Sequence, residues 1–107
     1  MKQVVDEVAK KFRDAFKESI PDFEGLYVFG SQVRGDATDE SDVDIVVLFE
    51  QERFSQPDEF YNILSKFSYD YYDLADLDIL PYAKKELERN CHFHDEVVNK
   101  GVFYSAA

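Results

Sequence analysis

"FGSQVRGDATDESDVDIVV", residues 29–47, is the stretch on which the reading of this chain turns. Asp42 and Asp44 open "DVDIVVLF" (residues 42–49), whose β-branched and apolar composition reads as a central strand. Packing alone would favour Val or Ile at both positions. Residues two apart on a strand point to the same side, about 6.5–7 Å apart along the chain. The spacing therefore predicts that Asp42 and Asp44 project together. Neighbouring carboxylates repel, and a hard cation relieves the repulsion; Mg²⁺ takes one or two carboxylates together with phosphate oxygens. An Asp-x-Asp pair met in isolation is usually a solvated strand start, with the first Asp in a turn.

Position alters that reading. "GLYVFG" (residues 25–30) is a short apolar run bounded by glycines, the pattern of a buried strand. Gly30 and Ser31 follow it, ahead of a short helix through Arg34 that Ser31 is placed to cap. Glycine lets the chain turn tightly and offer backbone N–H groups to an anion, and Ser31 adds a hydroxyl donor. A third acidic element lies further on. "DLDIL" (76–80) repeats the layout of "DVDIV" (42–46), so two such strands side by side would bring a third carboxylate towards the first pair. Metal-assisted group transfer uses such a group to orient an attacking hydroxyl or take its proton. Leaving several acids unpaired on a buried sheet would otherwise be costly.

Around this segment the chain reads as one domain of 107 residues, 1–107, with 45% hydrophobic and 16% aromatic residues, enough for a core. Val5, Val8, Phe12, Phe16 and Ile20 recur at helical spacing, and Pro21-Asp22 ends that helix. Pro57-Asp58 opens a second long helix with Phe60, Ile63, Leu64 and Phe67 on one face. "DLDILPY" reads as a third strand, Pro81 marking its end or an edge position, and "AKKELERN" as a short helix followed by another helical turn and "GVFYSAA". The expected class is α/β (α+β): a small mixed β-sheet with helices packed mainly on one face.

The chain carries 12 basic and 23 acidic residues, a formal charge of −11, which opposes broad nucleic-acid binding. A basic protein partner, or nucleotides handled through a metal, remains compatible. The longest apolar run, Ile45–Phe49, is far too short to span a membrane. The charged start "MKQVVDEVAKKF" has no signal-peptide apolar region, and a single Cys91 excludes an internal disulfide, so the expected location is cytoplasmic.

"GSQVRGDATDESDVDIVV" resembles the motif of minimal nucleotidyltransferases of the DNA polymerase beta-like superfamily. Gly30, Ser31, Arg34, Gly35, Ser41, Asp42 and Asp44 occupy the matching positions without a gap. The N-terminal helix, the later Asp-bearing strand and the closing "GVFY" extend the likeness over nearly the whole chain. The resemblance implies the polymerase beta-like nucleotidyltransferase fold and Mg²⁺ (or Mn²⁺) as cofactor. It places a nucleoside triphosphate over Gly30 and Ser31, with metal held by Asp42, Asp44 and a third carboxylate. That third group maps to Asp78, with Asp76 as the alternative if the register shifts. It further implies transfer of AMP from ATP onto a hydroxyl, typically a tyrosine of a HEPN-type ribonuclease toxin encoded beside its antitoxin. Two competing functions stay open: a non-catalytic acidic module that neutralises a partner by contact, and transfer to a small molecule such as an aminoglycoside.

Arg34 has two readings, contact with phosphate or pairing with Asp36 or Asp39; Ser41 reads most simply as a turn or cap residue. "CHFHD" (91–95) gathers four possible ligands in five residues, but one continuous segment does not readily converge on a metal, so helix-surface or core roles are favoured. "YDYYD" (69–73) is either a partner surface or the edge of the core.

Overall fold

The structure, a computed structural model, describes residues 1–37, 42–51, 57–70 and 77–107. Ser41, Asp39, Tyr71, Tyr72 and the alternative carboxylate Asp76 lie outside the described residues.

Helix α1 spans Gln3–Ser19 and buries Val5, Val8, Ala9, Phe12 and Phe16, the stripe expected of its three-to-four spacing. It stops where Ile20 turns extended (φ −124°, ψ 108°). Pro21 follows, and the residue before a proline is driven out of the helical region. Strand β1 (Phe23–Phe29) runs into α2, a single turn over Ser31–Arg34. The expected capping by Ser31 is corrected here: Gly30 holds the cap position, no side-chain cap bond forms, and Ser31 is already the first helical residue. Strand β2 (Val43–Phe49), helix α3 (Pro57–Asp70) and strand β3 (Leu77–Ala83) follow in the anticipated order. Helices α4 (Lys84–Arg89) and α5 (Cys91–His94) come next, and α5 continues into a π-helical turn over Asp95–Asn99. Glu86 Oε1 accepts from Ala83 N at 3.0 Å to secure the start of α4, and Asn90 Oδ1 accepts from Phe93 N at 3.1 Å to cap α5.

A fourth strand, β4 (Val102–Ser105), corrects the sequence-based order, which left "GVFY" without a strand. The sheet runs β3-β2-β1-β4. β1 is antiparallel to both β2 and β4, while β2 and β3 are parallel, so the sheet is mixed as anticipated. Pro81 sits within β3 opposite Val47, on an edge strand where a missing N–H can be tolerated.

Alternation along β2 divides its side chains between two faces. Val43, Ile45, Val47 and Phe49 join the main core with α1, and with Phe60 and Ile63 of α3. Phe16 stacks on Phe60 with ring centroids 5.3 Å apart and reaches Phe23 at 5.5 Å, tying both long helices to the sheet. Val46 and Leu48 face the other way, packing with Leu87 of α4 and Val97 of the π turn. The long helices thus share one face, and the short C-terminal helices cover part of the opposite one. Across the molecule, Tyr104 Oη donates to Asp6 Oδ1 at 2.6 Å, anchoring β4 to α1. No helix among the described residues is long and apolar enough to cross a membrane.

Candidate active site

The turn from β1 into α2 requires glycine for two reasons. Gly30 adopts φ 79°, ψ −151°, a conformation that side-chain-bearing residues rarely take. A Cβ built there would also lie 2.5 Å from Asp44 Oδ2, so any larger residue would have to displace the Asp44 carboxylate. The main chain at Gly30 is therefore pressed against the Asp44 carboxylate. Gly30 O accepts from Val33 N at 3.1 Å and Arg34 N at 3.0 Å, and Gly35 closes the turn in the left-handed region (φ 86°) with its N–H on Ser31 O. Two glycines bracket one helical turn, and Ser31 stands at its head.

Register brings the acids together. Asp44 pairs with Phe29 of β1 on one side and with Asp78 of β3 on the other. Asp44 is half-buried, whereas Asp42 and Asp78 are exposed. Burial raises the pKa of Asp44 above the ordinary 3.8; the charges of Asp78 and then Asp42 push the same way, and Arg34 opposes them. This is the signature of a carboxylate held where its charge is uncompensated. Among the described residues, no three His, Cys, Asp or Glu side chains are already gathered as a cation cage. An oxygen-only donor set on adjacent strands nevertheless fits a hard divalent ion, which takes few protein carboxylates and completes its shell with water and phosphate. Asp44, half-buried and repelled by its neighbours, is the group such an ion would relieve most.

Arg34 pairs with Asp36, as one of its two readings had it, and also with a partner that local reading did not find. Its Nη1 donates to Glu96 Oε1 at 2.8 Å, and its Nε reaches Asp36 Oδ2 at only 3.5 Å. Asp39, the other expected partner, lies outside the described residues. Asp36's charge and the Glu96 hydrogen bond raise the guanidinium pKa further. Glu96 belongs to the π turn, 62 positions from Arg34, so no motif spacing could have shown it. It also borders a hollow of about 400 Å³ shared with Asn90, His92, Phe93, Asp95 and Lys100. Gln32, 4% exposed and one residue past Ser31, has a buried Oε1 that finds no hydrogen-bond partner among the described residues.

The "CHFHD" residues spread along α5 and into the π turn, with Cys91 exposed and Asp95 accepting from Asn99 Nδ2 at 2.9 Å. Tyr69 ends α3 with 81% exposure.

A family model described as a nucleotidyltransferase domain matches residues 9–104. No curated protein matches the sequence. Among solved structures, the chain is similar to a toxin–antitoxin assembly crystallised with AMP-PNP: 22% identity, TM-score 0.61, covering 89% of this chain and 70% of the other. A mutant MntA–HpeT toxin–antitoxin is similar at 23% identity and TM-score 0.58, over 89% of this chain and 69% of the other. So is a structure of tri-AMPylated Shewanella oneidensis HEPN toxin in complex with MNT antitoxin, at 19% identity and TM-score 0.56, over 92% and 70%. At such identities the likeness is one of fold.

Proposed function

Because the chain belongs to the nucleotidyltransferase domain family, we propose that it transfers AMP from ATP to a hydroxyl of a partner protein, acting as the antitoxin of a HEPN-type ribonuclease toxin. The observation that carries this reading is the Gly30 turn pressed against Asp44, with Asp78 as the register partner of Asp44 on the next strand. A phosphate-receiving turn and a charge-strained carboxylate set converge within one short reach of sheet. The fold shared with toxin–antitoxin structures, one with AMP-PNP and another with a tri-AMPylated toxin, supports the choice of nucleotide and acceptor.

In this reading the triphosphate lies over Gly30 and Ser31, where the absent Cβ lets the main chain and the Asp44 carboxylate approach each other closely. Asp42, Asp44 and Asp78 would hold Mg²⁺ (or Mn²⁺), which would neutralise phosphate charge and make the α-phosphorus a better electrophile. Asp78 is exposed, so it can also face an incoming acceptor and take the hydroxyl proton. The acceptor oxygen forms a bond to the α-phosphorus, the bond to the bridging oxygen breaks, and pyrophosphate leaves. Arg34 adds positive charge beside the same turn.

The test is a labelling assay with α-³²P-ATP, Mg²⁺ and host lysate. One labelled protein band is expected with wild type, reduced about 10²–10⁴-fold by Asp78→Asn and by Asp42→Asn/Asp44→Asn. An unlabelled lysate, together with full neutralisation of the partner in cells by Asp44→Asn, would instead establish an acidic module acting by contact. Label appearing only in a small molecule would replace the protein acceptor.

A further inference from the structure

Arg34 stands beside the carboxylates on a long side chain, and its usefulness there depends on what holds it. Asp36 is a poor anchor: it sits in the same loop, its side chain is 65% exposed, and at 3.5 Å its contact is at the limit of a hydrogen bond. Glu96 is a better one. It accepts from Arg34 Nη1 at 2.8 Å, its side chain is 30% exposed, and its other oxygen faces Lys100 Nζ at 3.6 Å. It is carried by a π-helical turn, a rare winding that occurs frequently at functional sites. The adjoining Val97 is fully buried in the small core against Val46 and Leu48, so the turn is fixed to the same sheet that carries Asp44.

We propose that Glu96 is a positioning residue, gripping one edge of the Arg34 guanidinium so that its remaining N–H donors face the phosphates at the Gly30–Ser31 turn. The inference rests on the nucleotide reading of that turn. A guanidinium is a planar fork, so fixing one edge fixes the direction of the other donors.

Two measurements on the full chain test this. In ¹⁵N-labelled protein, the Arg34 side-chain resonances should be sharp and dispersed in wild type, averaged in Glu96→Ala, and intermediate in Glu96→Gln, which keeps an acceptor but loses the charge. By calorimetry, Glu96→Ala should weaken Mg-ATP binding about tenfold and leave AMP binding unchanged, and Arg34→Ala should add nothing further in the double variant. Tighter ATP binding by Glu96→Ala would overturn the proposal, since Glu96 would then withhold Arg34 rather than present it. Equal losses for ATP and AMP would reduce Glu96 to general structure. Wild-type protein binding no Mg-ATP would remove the nucleotide reading itself. Unchanged Arg34 resonances in Glu96→Ala would remove the grip, whatever the nucleotide result.

Discussion

At the scale of single residues, the site is built against stability. Gly30 takes a backbone conformation that favours glycine, close against Asp44, and burial and two other acids oppose ionisation of Asp44. The sign of the resulting pH dependence is fixed. The folded-state pKa of Asp44 lies above the unfolded 3.8, so the penalty is absent below 3.8 and accrues as pH rises through the raised value. It then persists at neutral pH. Metal-free Asp44→Asn should therefore melt a few degrees above wild type at pH 7, while losing most of its transfer activity. The gap between the two melting temperatures should close as pH falls below 3.8; a gap that widened with acidification would contradict the assignment. On the proposed function, activity and stability would be set against each other at this carboxylate, as is common where catalysis needs concentrated charge.

At the scale of elements, legibility followed periodicity. α1 and α3 announced themselves through apolar residues three and four apart, and β2 through an unbroken apolar run, because burial of one face or both leaves a pattern in the chain. β4 did not. It contributes only four residues, of which Tyr104 alone is buried, so neither alternation nor a continuous apolar run marks it. The candidate site was half legible for a related reason. Gly30, Ser31, Asp42 and Asp44 lie in one segment and Asp78 repeats the local pattern, whereas Glu96 meets Arg34 only through tertiary folding. The helix–sheet layer offers its own measurement. Phe12 is fully buried, edge-on to Phe67 at 5.1 Å and stacked near Phe16 at 5.9 Å. Truncation by Phe12→Ala should cost about 3–5 kcal/mol in denaturant unfolding, with the site's residues untouched. A loss below about 1 kcal/mol would mean that α1 is not a principal wall of the core.

At the scale of the whole molecule, a charge of −11 is confined to a body of 35 × 32 × 20 Å. At 0.01 M salt the screening length is about 30 Å, so nearly every acid repels every other; at 0.15 M it falls to about 8 Å. Raising salt across that range should therefore raise the melting temperature, by roughly 4–8 °C for each kcal/mol of repulsion removed. A melting temperature that fell with salt would show that local ion pairs, such as Lys10–Asp6 at 2.9 Å and Arg34–Glu96, outweigh the general repulsion.

The placement of β1 between β2 and β4 has a consequence during synthesis. β1 can pair with β2 as soon as Phe49 has left the ribosome, but Leu26 must wait for Tyr104, and so must Asp6. At roughly 5–20 residues per second the intervening chain takes several seconds to emerge. Through that interval the far side of β1 presents unpaired N–H and C=O groups, a template on which a neighbouring nascent chain can build its own strand.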